Sequence, residues 1–202
     1  MSPGVIARRS LLVAAGGLAV PGLAHAAGAR PRVAIRTGKG TIILELEAQR
    51  APISTANFLR YVDTGHYDGG IFYRAAHAPD TPTEGQIVAH PNPRSHPFAP
   101  IAHESTTQTG LRHLTGTLSL GRFAPGTATG DFFICANPEP YLDAHPGAKG
   151  DNLGFAAFGQ VVSGMSVVRR ILASPANGHS PFPDQRGQWL KPPITILGAS
   201  RV

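Results

Sequence analysis

The sequence has very little cysteine: Cys135 is the only one among 202 residues. A single cysteine excludes an internal disulfide and a cysteine-rich metal site. Because Phe132, Phe133 and Ile134 precede it, Cys135 is interpreted as a small, buried core residue. A reactive thiol is the alternative, although no neighbour in the sequence would lower its pKa.

Several other chemical signatures are also missing. The nine histidines include no pair at the i, i+4 spacing of a helical zinc site. Most of them adjoin proline or glycine, which indicates solvated loops. No serine lies in a Gly-x-Ser-x-Gly elbow, since the nearest stretch has Thr117 two residues before Ser119. The sequence therefore predicts neither a metal site nor a cofactor, and it gives no support to a serine hydrolase.

Positive charge is present but is not concentrated. The 18 Lys and Arg residues exceed the 12 Asp and Glu residues, so the formal net charge is +6. No basic run is longer than two residues, and scattered charge gives no support to nucleic-acid binding. The sequence has only one long apolar stretch, which lies near the N-terminus. We therefore expect no stable membrane insertion once that stretch is removed.

The first 26 residues have the organisation of a secretory signal. The Arg8-Arg9 pair precedes an apolar core that starts at Leu11, and Ala26 ends a small-x-small cleavage site. A membrane anchor is the alternative, but the core is short and rich in Gly and Ala. Twin arginines suggest the twin-arginine route, with the general secretory route also open. We expect export to a bacterial periplasm and a division into signal peptide, linker and one domain: residues 1–26, 27–31 and 32–202.

Glycine and proline are abundant, with 24 and 19 residues, and they predict many turns and short strands. Apolar alternation on both sides of residues 38–40 predicts a β-hairpin. Pro52 and Gly65 bound a predicted helix over residues 52–64, and "SGMSVVRRILAS" predicts a second helix. Further strands are predicted at 70–75, 85–89, 115–121, 131–136, 155–161 and in "PITILGA", with loops at "HAPDTPTEGQ" and 174–190. We expect a closed antiparallel eight-stranded β-barrel capped by two α-helices.

One strand candidate contains an unexpected charge. The stretch "GGIFYRA", residues 69–75, places Arg74 directly after two aromatic residues. On alternation alone, Arg74 points to water while its neighbours point inward.

Four stretches resemble the cyclophilin family of peptidyl-prolyl isomerases. In chain order they are "ISTANFLRYVDTGHYDGGIFYRA", "HESTTQTGLRHLTGTLSLGR", "TATGDFFICANPEPYLD" and "GFAAFGQVVSGMSVVRRI". With the first hairpin and the last strand they cover about residues 32 to 200. The resemblance implies a monomeric isomerase that acts, without a cofactor, on proline-containing segments of exported proteins. It also implies the same barrel that the local patterns predict.

The resemblance implies that Arg74 is the catalytic residue and faces a concave apolar site. Phe133 resembles the floor of the family's proline pocket and Leu142 another wall, while Ile87 takes the place of a methionine. The complete set of implied substrate-binding residues is Phe72, Ile87, Gly121, Arg122, Asp131, Phe133, Tyr141, Leu142 and Phe155.

The chain also departs from the family pattern. The family often has a Gln-Gly-Gly run whose glutamine braces the arginine, and Ala89-His90-Pro91 stands there instead. We expect Asp131 to compensate by accepting a hydrogen bond from Arg74. Without the glutamine, a module that binds proline segments with little turnover is the alternative function.

Three further positions differ on the peptide-binding side. Tyr141 replaces a frequent tryptophan, which argues against tight cyclosporin binding, and Phe155 replaces a frequent histidine. Arg122 stands where a small amide is usual. It either favours acidic residues ahead of proline or is a solvated charge on the rim.

Overall fold

The computed structural model describes Met1, residues 30–78 and residues 81–202. Apart from Met1, the predicted signal peptide lies outside the described residues. Within the two described ranges, no helix is long and apolar enough to cross a membrane.

Eight strands dominate the domain. They are β1 (Arg32–Thr37), β2 (Gly40–Leu46), β3 (Ile71–Ala78), β4 (Thr81–His90), β5 (Thr117–Leu120), β6 (Phe132–Cys135), β7 (Ala156–Ser163) and β8 (Trp189–Arg201). The helices are α1 (Pro52–Asp63), α2 (Thr106–Thr109) and α3 (Met165–Leu172), with short 3-10 turns at Pro140–Leu142 and Pro183–Gln185. The strands close in the order β1-β2-β7-β5-β6-β4-β3-β8, and every pair is antiparallel. The predicted eight-stranded barrel is confirmed.

The barrel interior is filled by one face of each strand, as period-two alternation requires. Phe58 of α1 lies within this core, with its ring centroid 5.4 Å from Phe132, 5.3 Å from Phe158 and 5.2 Å from Tyr67. The apolar face of α3 joins the same core. Both helices are thus held by burial against the sheet rather than by intrinsic propensity.

The start of α1 is stabilised by a residue from another part of the chain. Ala51 provides no side-chain cap, and Pro52 suits the first turn because that position needs no N–H donor. The carboxylate of Glu104 accepts hydrogen bonds from the backbone N–H groups of Ile53 at 3.0 Å and Ser54 at 2.7 Å. The helix ends at Asp63, within one residue of the predicted end.

Two predicted loops were wrongly bounded, and one short helix was not predicted. Strand β3 ends at Ala78 and β4 begins at Thr81, so both strands extend into the predicted loop "HAPDTPTEGQ", where His77 pairs with Gly85. Residues 82–84 belong to β4 and are exposed, so their polar character reflects exposure to solvent rather than a loop. Strand β8 begins at Trp189, inside the predicted loop 174–190. The single turn α2, closed by a capping box between Ser105 and Gln108, was not predicted.

Candidate active site

A β-bulge explains how Arg74 leaves the barrel interior. Phe72 and Ala75 are both 0% exposed and point inward. Between them, Phe72 pairs with Ala89 and Arg74 pairs with Val88, so Tyr73 is an extra residue on β3. The bulge lets Tyr73 and Arg74 both point outward, where strict alternation would turn one of them into the core.

Strand register places Arg74 in one row with the candidate pocket. Arg74 of β3 is opposite Val88 of β4, and Val88 is opposite Phe133 of β6. Directly opposite residues project from the same face of a sheet. The Arg74 and Phe133 backbones are therefore separated by two strand spacings, about 10 Å, on the outer face of the barrel.

An apolar cluster surrounds Phe133 on this outer face. Its buried members are Val88, Phe133, Cys135 and Leu142, with Tyr73 and Phe155 packed against them. The Phe155 ring meets the Phe133 ring edge-on at a centroid distance of 5.5 Å, and Phe133 is only 3% exposed. Tyr141, at 68% exposure, is the most accessible aromatic residue beside the cluster. Arg74 thus has an apolar surface on one side and is not surrounded by water.

Two residues predicted to contact substrate lie on the wrong side of the sheet. Phe72 and Ile87 are 0% exposed and belong to the barrel core. The sequence comparison had placed β4 one residue out of register, and a shift of one residue moves a side chain to the opposite face. Val88, which was not predicted, takes the outward position assigned to Ile87.

Asp131 does not orient Arg74, so that prediction was wrong. Its carboxylate contacts His90 Nδ1 at 2.5 Å and accepts a hydrogen bond from the Tyr73 hydroxyl at 3.4 Å. The pairing of Ala89 with Phe132 puts His90, the next residue on β4, beside Asp131. This hydrogen bond raises the pKa of His90. The partners of Asp131 are thus His90 and Tyr73, and Arg74 is not among them.

The partner of Arg74 is Gln188, which the sequence did not indicate. The Arg74 Nε–H donates to Gln188 Oε1 at 2.8 Å. Burial lowers the pKa of Arg74, yet a guanidinium stays protonated at neutral pH even so. Among the described residues, no other group hydrogen-bonds this guanidinium. Its terminal N–H groups are therefore available to a ligand.

Arg122 is neither a solvated rim charge nor a selector of acidic residues. Its side chain is 3% exposed and forms a bidentate pair with Asp151 at 2.5 and 2.9 Å. It also donates from Nε to Gly154 O at 2.9 Å, from Nη2 to the same carbonyl, and from Nη1 to Phe123 O at 3.1 Å. The guanidinium carbon lies 5.1 Å from the Phe155 ring centroid. Arg122 joins two loops and supports Phe155.

Gly121 lies at the edge of the same region, where its N–H donates to the Asp131 carbonyl at 2.8 Å. A Cβ at this position would lie 3.1 Å from the Asp131 Cβ, so a larger residue would press on the β5–β6 connection. Close packing against Asp131 therefore requires a residue without a side chain at position 121.

A buried histidine supports the Phe133 ring from beneath. His113 stacks on Phe133 at a centroid distance of 5.8 Å and an interplanar angle of 15°. Its Nδ1 lies 2.7 Å from Asp143 Oδ1 and its Nε2 lies 2.9 Å from Ser119 Oγ. Burial lowers the pKa of His113, and a neutral ring protonated on Nδ1 satisfies both contacts. His113 is therefore not the solvated loop residue that the sequence indicated.

The Ser119–His113–Asp143 chain has the residue types of a hydrolytic triad, but Ser119 is 0% exposed. A nucleophile must reach its substrate, so this serine has a supporting role. Among the described residues, no group of three or more metal-ligating side chains is close enough to hold a metal ion.

A second buried acid lies under the cluster. Glu139 is 2% exposed, and its Oε2 has no hydrogen-bond partner among the described residues. Burial raises the pKa of Glu139 to about 7, opposed in part by a hydrogen bond from Cys135. Burial also raises the pKa of the Cys135 thiol, which is free and fully buried, as predicted. The thiol is thus in the inert, protonated form.

Comparison with known proteins gives this site a context. A sequence model of the family "Cyclophilin type peptidyl-prolyl cis-trans isomerase/CLD" matches residues 32–200. Peptidyl-prolyl cis-trans isomerase A of Dickeya dadantii is 36% identical over 149 residues, which are 73% of this chain and 74% of that protein. Peptidyl-prolyl cis-trans isomerase cyp18 of Streptomyces antibioticus is 34% identical over 157 residues, covering 76% and 92% of the two chains.

The fold has matches among solved structures as well. A cyclophilin-type peptidyl-prolyl cis-trans isomerase of Cryptosporidium parvum superposes with a TM-score of 0.66 at 18% identity. The match covers 86% of this chain and 98% of the other. This likeness concerns the barrel alone.

Proposed function

Because the chain belongs to the cyclophilin-type peptidyl-prolyl cis-trans isomerases, we propose that Arg74 stabilises the twisted X-Pro bond. Rotation about this bond crosses a barrier of about 18–20 kcal/mol, since amide resonance holds the bond planar. In the twisted state the prolyl nitrogen loses conjugation and gains a free lone pair. A donor that meets this lone pair binds the transition state more strongly than either planar isomer.

The observation that supports the proposal is that the Arg74 guanidinium is fixed in place while its terminal N–H groups are free to donate hydrogen bonds. Gln188 holds the Nε of Arg74, and the terminal nitrogens of the guanidinium remain free of protein partners among the described residues. An arginine is suitable because it stays charged and cannot be consumed by proton transfer.

The apolar cluster supplies a surface for the proline ring. Phe133 and Leu142 are almost fully buried, so the accessible apolar surface is that of Tyr73 and Phe155, which pack against them, and of the exposed Tyr141. Holding the ring on this patch while the preceding carbonyl rotates would keep the prolyl nitrogen near Arg74. Family membership favours this isomerase function over a module that only binds proline segments.

The test is turnover of a short Ala-Pro peptide. We expect the wild-type protein to accelerate isomerisation and Arg74→Ala to lose roughly a hundredfold in kcat/KM, the usual cost of removing a transition-state donor. Arg94→Ala is the control, because Arg94 is exposed and lies outside the row. Equal activity of wild type and Arg74→Ala would reject the role of Arg74.

We further propose that the clients are proline-containing segments of exported proteins and that the protein is itself exported to a bacterial periplasm. The support is the signal-like organisation of residues 1–26, with the Arg8-Arg9 pair and the Ala26 cleavage site. Expression in a bacterium should give a periplasmic product whose first residue is Ala27. Retention of the full chain in the cytoplasm would contradict this proposal.

A further inference from the structure

We propose that Gln188 is the positioning residue for Arg74. This inference rests on the proposed function, because it concerns how the proposed catalytic guanidinium is held. The family resemblance gives the bracing role to a glutamine on β4, and the sequence led us to expect it of Asp131; the inference assigns it to the segment that enters β8.

The contact itself has the geometry of a strong hydrogen bond. The distance from Arg74 Nε to Gln188 Oε1 is 2.8 Å, and the donor carries charge. Nε is the guanidinium nitrogen attached to the side-chain stem. A partner at Nε fixes the rotation of the guanidinium plane without occupying either terminal nitrogen.

Gln188 is held in place by the sheet. Its backbone carbonyl accepts a hydrogen bond from the N–H of Ala75 at 2.8 Å, and Ala75 is the next residue after Arg74. Trp189, the residue after Gln188, pairs directly with Arg74 in the β3–β8 register. The donor and the acceptor are therefore carried by two adjacent, paired strand segments.

Aromatic packing adds a second constraint on the same segment. The Trp189 ring lies 5.0 Å from the Tyr73 ring, and its Nε1–H donates to Gln185 Oε1 at 3.2 Å. Tyr73 is the bulge residue that turns Arg74 outward. The bulge and the segment before β8 thus fix each other, which sets the position of the Gln188 amide.

The two candidate positions on β4 are used for other purposes. Ala89 points into the barrel core and has no polar group, while His90 is paired with Asp131. Neither replaces the glutamine that the family resemblance leads us to expect. Gln188 is the described side chain that does contact the guanidinium.

The experiment compares Gln188→Ala, Gln188→Glu and a control, Gln49→Ala, in turnover of an Ala-Pro peptide. Gln49 is an exposed glutamine in the turn before α1. We expect Gln188→Ala to lose roughly tenfold in kcat with little change in KM, because a misplaced catalytic group mainly affects the transition state. Gln188→Glu keeps the acceptor oxygen and should stay within about threefold of wild type. Gln49→Ala should match wild type.

A spectroscopic readout separates positioning from general stability. We expect the Arg74 Nε–H proton to exchange with water faster in Gln188→Ala than in wild type or Gln188→Glu. Wild-type kcat and unchanged Nε–H exchange in Gln188→Ala would overturn the inference, as would failure of Gln188→Glu to restore kcat. If Arg74→Ala is slow but Gln188→Ala is normal, only this inference fails; if Arg74→Ala is fully active, the proposed function fails.

Discussion

Arg74 and Arg122 border the same apolar cluster, yet their surroundings differ. Arg122 is almost fully enclosed, and each of its guanidinium nitrogens donates to Asp151, Gly154 or Phe123. Arg74 has one described partner, Gln188 at Nε. One arginine has completed its hydrogen bonds within the protein, and the other has terminal donors to offer.

The difference shows that residue type alone does not identify a functional arginine. Both were candidates from the sequence, but the Arg122 side chain is enclosed beside Phe155, whereas Arg74 is half-buried. The two arginines differ in how many of their guanidinium N–H groups have a protein partner. A buried N–H group without a protein partner is costly unless a ligand or water accepts its hydrogen bond. Arg122 therefore supports the fold, whereas Arg74 keeps the free donors that its proposed catalytic role requires.

The largest expected difference is in stability. Arg122→Ala should lower the free energy of unfolding by roughly 3 kcal/mol, because it removes an almost fully enclosed side chain and leaves the Gly154 carbonyl without its donors. Arg74→Ala should lower it by less than about 1 kcal/mol, since it removes a single hydrogen bond. Urea denaturation of the two variants measures both values. Equal losses would erase the distinction between the two arginines.

The same distinction applies to carboxylates and predicts a pH dependence. Asp151 is paired with Arg122, whereas Glu139 Oε2 has no described partner and burial raises the pKa of Glu139 to about 7. A raised pKa means that the protonated acid stabilises the fold below pH 4.5 and that this contribution is lost as the pH rises to about 7.

We therefore expect Glu139 to make the free energy of unfolding roughly 2 kcal/mol lower at pH 8 than at pH 5. Glu139→Gln should remove this part of the pH dependence, which denaturation at the two pH values measures. A variant with the wild-type pH profile would show that Glu139 ionises without cost.

The smallest expected effect concerns Asp131. Because its carboxylate contacts His90 and Tyr73 rather than Arg74, Asp131→Asn should change turnover by less than about threefold. Ala-Pro peptide turnover is the measurement, with Gln188→Ala assayed in parallel. A loss for Asp131→Asn larger than that for Gln188→Ala would return the bracing role to Asp131.

The sequence was a good guide to the barrel because its signals are local. The hairpin around Gly38 and Gly40, the helix that starts at Pro52 and the apolar face of α3 all depend on neighbours in the chain. The family resemblance then identified Arg74 and Phe133 as site residues. Both residues are paired with Val88 of β4, one from each side. These features required no knowledge of distant contacts.

The remaining parts of the site depend on register and on long-range contacts. The bulge at Tyr73 has no distinct sequence signal, and the one-residue shift on β4 exchanged Ile87 for Val88. Gln188 lies 114 residues from Arg74 in a segment that was interpreted as a polar loop. The role of His113 could not be predicted for the same reason, because its stacking on Phe133 exists only in the folded barrel.

The central claim is that Arg74 binds the twisted X-Pro bond better than either planar isomer. Nuclear magnetic resonance exchange on a bound Ala-Pro peptide measures the peptide's Kd and its isomerisation rate on the protein separately. For Arg74→Ala the account predicts a Kd within about threefold of wild type and an on-enzyme rate lowered roughly a hundredfold. A weakened Kd with an unchanged on-enzyme rate would contradict it, because Arg74 would then only hold the substrate.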